Sequence, residues 1–446
     1  MNVHLIGIGG IGVSALAQYY LSKGYKVSGS DLVVSEITDF LKKKGIEINI
    51  NPKSQIPNPN QARNPNDQIN ILPDMVVYSP AVKQDNLELK FYNQKSIKCL
   101  SYPEALGELT KEYYTIAVAG AHGKSTTTSM IALVMAEAGL DPTVIVGTKI
   151  KEFGNSNFRA GKSKFLVIEA CEYDSSFLRY KPKIIVVTNV DKEHLDYFKT
   201  FANVKKAFKS FILKLPDDGF FVFNKDDEKN SKFKIQNSKI KFKIQNYSLR
   251  QLEAKKFKKI LKVPGEHNIS NALATLQVAR ILGIPDKIIF KSLSNFKGTW
   301  RRFETRQAIV NGKNITLISD YGHHPNEISA TLKAAREKYP NKKIWCVFQP
   351  HQYQRTYYLF NDFVKTFRKM PIDKIIITDI YDVAGREIKT INREVSSEKL
   401  VEKINKKNIS YIQLCDIEKF VKKNIKSGDI LIIMGAGDIY KFVDKF

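Results

Sequence analysis

Short apolar runs alternate with stretches of helical spacing along this chain, and the alternation predicts strands and helices in turn. The first series, up to about residue 105, contains the runs VHLIGIG, KVSGSD, MVVYSP and IKCLS. A second series (IAVAG, FLVIEA, IIVVTNV) begins near Tyr114, and a third (ITLISDYGHHP, KIWCVFQPH, KIIITDIY, ILIIMGAG) follows the helical segment NALATLQVARILG. Alternating strands and helices favour parallel sheets. The pattern therefore predicts an α/β protein made of three consecutive α/β domains with mostly parallel sheets.

Three segments interrupt this alternation. Residues 51–67 are rich in Asn and Pro, which predicts a surface loop. The Lys-rich stretch 225–262 contains KFKIQN at 232–237 and again at 241–246, and its alternating order predicts two short, half-exposed strands. The segment NFKGTWRRFET (295–305) is predicted to be an exposed linker into the third domain.

The segment IAVAGAHGKSTTTS (116–129) combines an apolar run, a glycine-containing turn and a helix start. In such a P-loop, the backbone N–H groups between Gly120 and Gly123 and the helix dipole face phosphates. Lys124 adds a positive charge, and the Ser125 hydroxyl is a ligand for Mg²⁺. An ordinary strand-to-helix turn is the structural alternative. The pattern favours binding of a nucleotide triphosphate in the central domain.

A second glycine loop, GIGGIG (7–12), follows the first strand and opens a helix. The next strand ends at Asp31, where a Rossmann-like fold places the acid that binds a ribose. The motif by itself suggests NAD, but it indicates diphosphate binding more than any one cofactor. Two phosphate-binding loops on successive α/β domains indicate two phosphorylated ligands that meet, as in a ligase or transferase.

Polar residues follow several of the predicted strands. Glu169 ends FLVIEA beside the P-loop, where a carboxylate is placed to bind Mg²⁺. Glu172 and Asp174 are more typical of a solvated rim. His194 follows the next strand and is either structural or a ligand to a second metal ion. The acid and histidine cluster that begins at Asp320 indicates a third substrate in the third domain.

Two further groups lie near predicted helix or domain boundaries. Asn268 and Asn271 come just before a helix, where an asparagine either caps the helix or reaches a base edge. Arg301 and Arg302 follow Trp300 in the predicted linker, and we expect their guanidinium groups to clamp phosphates across the domain boundary.

Composition limits the classes of function. The net charge is +26, but the lysines are spread over the whole chain without a recognisable nucleic-acid motif, so no nucleic-acid partner is expected. No run approaches the about 18 apolar residues of a membrane span, and no membrane partner is expected. The four cysteines are scattered, and the first strand follows Met1 and Asn2 directly, leaving no room for a signal peptide. These features predict a cytoplasmic location.

The chain resembles the Mur ligases of peptidoglycan synthesis over nearly its whole length. The segments that carry the resemblance are, in order, GIGGIGVSALA, VYSPAV, AGAHGKSTTT, EACEYDSSFL, TNVDKEHLDYF, VPGEHNISNA, GTWRRFE, DYGHHPNEI, FQPHQYQRT and MGAGDIY. The resemblance implies an ATP-dependent amide ligase that uses ATP and Mg²⁺. It implies, most closely, the joining of L-alanine to the carboxylate of UDP-N-acetylmuramate through an acyl phosphate, by a monomer or weak dimer.

The resemblance also implies domain and residue roles. The expected domains are 1–107, Rossmann-like and binding the UDP-sugar; 108–297, the P-loop domain binding ATP; and 298–446, Rossmann-like and binding the amino acid. Residues expected to bind ATP are Gly120, His122, Gly123, Lys124, Ser125, Thr126, His267, Asn268, Arg302 and Asp320. Those expected to bind the other substrates are Gly9, Gly10, Gly12, Asp31, Ser79, His323 and Arg355. The expected Mg²⁺ ligands are Ser125, Glu169 and His194, and the expected catalytic residues are Lys124, Glu169, His194 and His323.

Some positions depart from the family pattern, and some alternatives stay open. Gln352 replaces one arginine of the FQPH segment, Cys171 replaces an acid, and Ser125 replaces threonine, which is harmless because either hydroxyl binds Mg²⁺. The nearest alternative is a sibling ligase that adds another amino acid or recycles a murein tripeptide. More distant alternatives are an NAD-dependent oxidoreductase, which the P-loop contradicts, and a nucleic-acid-binding ATPase, which only the net charge supports.

Overall fold

The computed structural model describes residues 1–50, 72–227, 240–383, 391 and 394–446. Three sheets follow one another along the chain, and each is parallel or nearly so. The prediction of three consecutive α/β domains is thereby confirmed, and they are called the first, central and third units below. The Asn/Pro-rich segment 51–67 and the first KFKIQN copy lie outside the described residues.

The first unit has the Rossmann-like strand order β3-β2-β1-β4-β5, with every pair parallel. Its strands are β1 (Asn2–Ile6), β2 (Lys26–Asp31), β3 (Glu47–Ile50), β4 (Met75–Tyr78) and β5 (Lys98–Ser101). Its helices are α1 (Ile11–Ser22), α2 (Glu36–Lys43), α3 (Leu87–Gln94) and α4 (Tyr102–Glu112).

Among its described residues, the central unit has seven strands in the order β12-β11-β10-β6-β9-β7-β8, and only β7 and β8 pair antiparallel. The strands are β6 (Tyr114–Ala119), β7 (Thr143–Ile150), β8 (Ser156–Arg159), β9 (Phe165–Glu169), β10 (Ile184–Val187), β11 (Phe220–Asn224) and β12 (Lys243–Tyr247). The helices are α5 (Lys124–Glu137), α6 (Leu195–Phe198), α7 (Phe201–Ile212), α8 (Leu252–Ile260), α9 (Glu266–Ile281) and α10 (Asp286–Asn295).

In the part of the third unit that the structure describes, six strands lie in the order β13-β14-β18-β15-β16-β17, and only the edge pair β13 and β14 is antiparallel. The strands are β13 (Glu304–Val310), β14 (Lys313–Asp320), β15 (Ile344–Phe348), β16 (Lys374–Ile377), β17 (Ile409–Tyr411) and β18 (Ile430–Met434). The helices are α11 (Pro325–Lys338), α12 (Tyr353–Tyr358), α13 (Phe360–Lys369), α14 (Ser397–Ile404) and α15 (Ile417–Asn424).

Strand composition explains how the core forms. The central strands β10, β15 and β18 are apolar and buried at every position, because helices cover both faces of a parallel sheet. The carboxyl ends of β6, β9 and β10 are adjacent, since β6 pairs with both neighbours. The residues that follow these three strands are therefore gathered at one edge of the central sheet.

A buried polar network joins the first and central units. Gln18 of α1 accepts a hydrogen bond from the Ser156 hydroxyl at 2.9 Å and donates one to Asn157 Oδ1 at 2.8 Å. The Asn157 amide in turn donates to Ser14 Oγ at 2.9 Å and to the carbonyl of Ile11. Each polar group in this network has a partner, so its burial carries little desolvation penalty.

The prediction of an exposed linker at 295–305 is wrong. Arg301 is only 5% exposed, because its guanidinium group lies against the rings of Trp300, Tyr321 and Tyr440 and donates to the carbonyls of Gly435 and Gly437. The Trp300 backbone is bound to β7 instead, through the Lys149 carbonyl and the Thr148 hydroxyl. Aromatic contacts thus bury a segment whose charge suggested a surface position.

No helix among the described residues is both long and apolar enough to span a membrane.

Candidate active site

The loop between β6 and α5 has the backbone of a phosphate cradle. Gly120 has φ of 137° and Gly123 has φ of 84°, and both values favour glycine. A Cβ atom at Gly120 would lie 2.1 Å from Thr188 Oγ1, and one at Gly123 would lie 2.5 Å from Asn271 Oδ1. Neighbouring chain therefore approaches the loop closely at both positions, and α5 begins directly after the second glycine.

Lys124 is anchored at the base of this loop. Its ammonium group donates to the carbonyls of Gly120 at 2.5 Å and Ala121 at 3.1 Å, and it lies 3.1 Å from a carboxylate oxygen of Glu172. Burial would lower the pKa of Lys124, but the neighbouring acidic groups, led by Glu172, together outweigh burial and raise it. Glu172 is only 1% exposed, so the prediction of a solvated acid at this position is wrong.

Glu169 and His194 lie at the ends of neighbouring strand connections. A carboxylate oxygen of Glu169 accepts a hydrogen bond from the Gly147 N–H at 2.9 Å. His194 begins α6 with φ of 55°, and its Nε2 lies 3.9 Å from Glu172 Oε1. Burial lowers the pKa of His194, which favours the neutral imidazole that binds metal ions.

A cavity of about 360 Å³ opens between the central and third units. Most residues expected to bind ATP line it, namely His122, Gly123, Ser125, Thr126, His267, Asn268, Arg302 and Asp320. Asn271, Asn224 and Leu249 line it as well. Its walls therefore combine phosphate-binding backbone, a guanidinium group, amides that can contact a base, and an apolar surface, as a nucleotide requires.

Arg301 and Arg302, which lie in the segment predicted to be a linker, have different surroundings. Arg302 lines the cavity and lies 3.3 Å from Glu327 Oε1, whereas Arg301 is enclosed by aromatic rings. The prediction that both arginines clamp phosphates across the boundary is therefore wrong for Arg301, since its guanidinium group is enclosed by aromatic rings and donates to the carbonyls of Gly435 and Gly437.

Asp320 ends β14 and is held by backbone groups. Its carboxylate accepts hydrogen bonds from the N–H groups of Phe303 at 2.9 Å and Gly322 at 2.8 Å, and from the Thr331 hydroxyl at 3.2 Å. Burial raises its pKa. Asp320 thus fixes the loop that carries Arg302 as well as lining the cavity.

His122 links the phosphate loop to the third unit. Its Nε2 lies 3.3 Å from Asp191 Oδ2, and its Nδ1 lies 3.4 Å from Glu327 Oε1 on α11. Burial would lower the pKa of His122, but the two carboxylates outweigh burial and raise it to about 10. Asn326 of α11 also donates to Asp191. The central and third units are thus joined by charges and hydrogen bonds.

A second group of charges lies where α12 meets the loop before α6. Arg355 Nη2 lies 3.5 Å from Glu193 Oε2, and His323 Nε2 lies 4.0 Å from Glu193 Oε1. Burial and the Arg355 charge lower the pKa of His323 to about 3. A small adjacent pocket is lined by His194, Arg355 and Gln352, among others. His194 and Arg355, predicted for different ligands, therefore share one pocket.

The residues predicted in the first unit form one loop region. The Gly9 N–H donates to Asp31 Oδ2 at 2.8 Å, and the N–H groups of Leu32 and Val33 approach Asp31 Oδ1. Gly10 is the N-cap of α1, with Gly12 in its first turn. Ser79 follows β4, the neighbour of β1, and its N–H donates to the Ile6 carbonyl. Asp31 therefore shapes the glycine loop.

The structure shows the surroundings of Gln352 and Cys171, two residues that depart from the family pattern. Gln352 is 9% exposed, has φ of 73°, and is the N-cap of α12. Cys171 is half-buried between two acids of the site, and burial raises its pKa to about 12, so the thiol stays neutral. Neither side chain supplies the charge that the family usually has at its position.

Several functional residues were not predicted. The cations of the site are connected by three acids, Asp191, Glu193 and Glu327. None of the three was singled out from the sequence. Glu193 had one local signal, since it precedes His194 after a buried strand. Glu327 also had one, because its position three residues after His324 at a helix start is that of a capping box, which the structure contains.

Comparison with family models places the whole chain in one group of enzymes. Residues 2–114 match the Mur ligase family catalytic domain, residues 118–279 the Mur ligase middle domain, and residues 301–437 the Mur ligase glutamate ligase domain.

Individual relatives match this chain over its full length. The chain is 42% identical over 468 residues to the UDP-N-acetylmuramate–L-alanine ligase of Clostridium tetani and 40% identical over 465 residues to that of Clostridium botulinum. Each alignment covers 100% of this chain and 97% of the relative. The crystal structure of a UDP-N-acetylmuramate–alanine ligase from Thermotoga maritima matches with a TM-score of 0.77 and 25% identity, over 100% of this chain and 99% of that one. The chain belongs to the Mur ligase family.

Proposed function

We propose that this protein joins L-alanine to the carboxylate of UDP-N-acetylmuramate and hydrolyses ATP to ADP and phosphate in doing so. One observation carries the proposal: the P-loop, Arg302 and the pocket around Arg355 converge between two units, in a chain whose full-length relatives bear that activity in their names.

ATP fits the large cavity. The loop N–H groups, with Lys124 at the base of the loop, would face its phosphates, and Arg302 lines the same cavity. His267 and Asn268 line the same cavity, and burial and the Arg302 charge lower the pKa of His267 to about 4, so its imidazole is neutral. A neutral ring can pack against a base without repelling the arginine.

Mg²⁺ fits the donor set around the P-loop. Ser125 supplies a hydroxyl, Glu169 a half-buried carboxylate and His194 a neutral imidazole. We propose these three as its ligands. When bound, the ion would neutralise phosphate charge.

The chemistry requires activation of a poor electrophile. The muramate carboxylate attacks the γ-phosphorus of ATP, ADP leaves, and the resulting acyl phosphate accepts the amine of alanine with loss of inorganic phosphate. Negative charge develops on the phosphoryl group and then on the acyl oxygen, so the fixed charges of Lys124 and Arg302 are placed to stabilise both steps. Closing the central and third units over the substrates would exclude water, which would protect the acyl phosphate.

We propose that Arg355 and His323 position alanine. Arg355 carries the guanidinium group that pairs with a carboxylate. Because the pKa of His323 is about 3, its imidazole is neutral near pH 7, and His323 acts here as a neutral hydrogen-bonding group. The glycine loop of the first unit, with Asp31 and Ser79 beside it, would hold the UDP group.

The test measures phosphate release with UDP-N-acetylmuramate, ATP, Mg²⁺ and single amino acids. L-Alanine should support release, glycine and L-serine less, and D-glutamate and diaminopimelate none. A pocket for one methyl group separates alanine from glycine by only about 1–3 kcal/mol, so some release with glycine is expected. A preference for D-glutamate or a peptide would assign the chain to a sibling ligase, and release without any UDP-sugar would overturn the proposal.

A further inference from the structure

Two histidines from different units face each other beside the phosphate cavity. The ring centroids of His122, in the P-loop, and His324, the N-cap of α11, are 4.7 Å apart. Nε2 of His324 is buried and has no hydrogen-bond partner within the described part of the chain, and Nδ1 of His122 is buried with only a 3.4 Å ion pair to Glu327 Oε1. His324 is only 3% exposed. Buried polar atoms are normally satisfied, so the unpartnered nitrogen of His324, beside a second histidine ring, indicates a missing ligand.

The opposite nitrogens of the two rings share one carboxylate. Asp191 Oδ2 lies 3.3 Å from Nε2 of His122 and 4.0 Å from Nδ1 of His324. A second hydrogen bond from Asn326 holds Asp191 in place. Histidines that bind metal ions usually place their other ring nitrogen against a carboxylate, which orients the ring and increases its basicity.

A third ligand is close by. His122, Glu193 and His324 each offer one ligand atom, and these atoms all lie within 4.8 Å of one another. Glu193 is 5% exposed, and its Oε2 is engaged by Arg355 while Oε1 faces the histidines of the third unit. Over residues 1–50, 72–227 and 240–383, together with 391 and 394–446, no other three His, Cys, Asp or Glu residues are grouped this closely.

We propose that His122, Glu193 and His324 bind a transition-metal ion, with Zn²⁺ as the favoured ion. Two imidazoles and one carboxylate suit Zn²⁺ better than Mg²⁺, which prefers oxygen ligands. Nδ1 of His122 releases its proton to solvent on binding, and the proton of His324 moves from Nε2 to Nδ1, towards Asp191. His324 gives up a 3.3 Å contact from the Asn326 N–H, and His122 gives up its 3.4 Å pair with Glu327. The site shares no residue with the proposed Mg²⁺ ligands.

The position of the site implies an effect on the enzyme. His122 belongs to the P-loop and His324 to the third unit, so a bound ion would tie the two units together. It would also occupy the His122 nitrogen that otherwise pairs with Glu327 beside the phosphate cavity. Zn²⁺ should therefore inhibit phosphate release at saturating Mg²⁺, and raising Mg²⁺ further should not reverse the inhibition.

The test is a titration of the full-length, nucleotide-free protein with Co²⁺, followed by the visible absorption of the four-coordinate ion. We expect one Co²⁺ per chain, displaced by Zn²⁺. His324→Gln should weaken binding at least tenfold, and Asp191→Asn about 10–100-fold. Matched controls are His4→Gln, a histidine paired with Glu88 in the first unit, and Cys415→Ser, which removes an exposed thiol. Both controls should bind as the parent does.

Three results would overturn the assignment: no visible band, an unchanged band in His324→Gln, or loss of the band in Cys415→Ser. Thermal unfolding of each variant without metal checks that it folds. If His324→Gln does not fold, His122→Gln replaces it, and retention of the band in that variant also counts against the site. Because no substrate is present, these measurements are independent of the proposed ligase activity.

Discussion

Oε2 of Glu193 lies 3.5 Å from Nη2 of Arg355, and this buried pair joins the loop after β10 to helix α12 of the third unit. Burial would raise the pKa of Glu193, but Arg355 and the neighbouring histidines lower it, so the carboxylate is charged. The pair therefore connects the edge of the central sheet, where phosphate chemistry is proposed, to the residue proposed to bind alanine.

Replacing Arg355 with alanine should impair both stability and alanine use. Glu193 would be left as a buried, unpaired charge, which costs about 3–5 kcal/mol when the site cannot rearrange. We expect a lower thermal midpoint and a rise in KM for L-alanine of at least tenfold. Lys183→Ala is the control, since its pair with Asp218 is exposed and such pairs contribute about 0–1 kcal/mol. An unchanged KM for alanine would contradict the role of Arg355.

Two variants should separate the role of Lys124 in phosphate release from its role in stability. They are Lys124→Met and the double variant Lys124→Met with Glu172→Gln. The single variant loses phosphate release and is destabilised by several kcal/mol, about 3–5, because Glu172 is left without its partner. The double variant removes both charges and should recover most of the stability, measured by denaturant unfolding. It should not recover phosphate release, and substantial release would remove Lys124 from the mechanism.

Glu169→Gln should raise the Mg²⁺ requirement while leaving the fold intact. The glutamine carbonyl can still accept the hydrogen bond from Gly147, but it lacks the charge proposed to hold the ion. The measurement is a Mg²⁺ titration of phosphate release beside a thermal melt. A Mg²⁺ curve that overlays the parent would show that Glu169 is not a ligand.

His122 should make stability depend on pH in the alkaline range. Its pKa rises from the ordinary 6.5 to about 10 on folding, because Asp191 and Glu327 together outweigh burial. The stabilisation is therefore fully present below about pH 6.5 and is lost as pH rises through about 10. With metal ions chelated, the difference in thermal midpoint between the parent and His122→Gln should be largest near pH 6 and shrink towards pH 10. A constant difference would contradict the charged state of His122.

Asn157→Leu should loosen the first unit from the central unit. The substitution removes the buried hydrogen bonds that Asn157 forms with Gln18 and Ser14, at about 0.5–1.5 kcal/mol for each bond lost. Unfolding of this variant should separate into two transitions by calorimetry. Asn424→Ala removes an exposed side-chain hydrogen bond and is the control. A single transition at the parent midpoint would show that the network does not hold the units together.

The strands and glycine loops were predictable from the local sequence, because the pattern that indicates each of them spans only a few neighbouring residues. The turn at Gly120 and Gly123 needs positive φ angles that glycine supplies, and the motif shows this directly. The ion pairs were not predictable, since His122 and Glu327 meet only when two units pack together. The burial of Arg301 was missed for the same reason: Tyr321 and Tyr440 are distant in sequence and adjacent only in the folded third unit.

Consecutive residues Trp300 and Arg301 are fixed to different units, the first by β7 and the second by the carbonyls after β18. The covalent pivot between the units is therefore a single peptide linkage. Rotation about its flanking bonds changes the orientation of the third unit while its attachment point stays in place. These torsion angles and the pairs His122–Glu327 and Glu193–Arg355 together set how close His323 comes to the phosphate loop. Arg301 already has φ of 56°, so a glycine there would reduce the torsional stiffness of the whole unit.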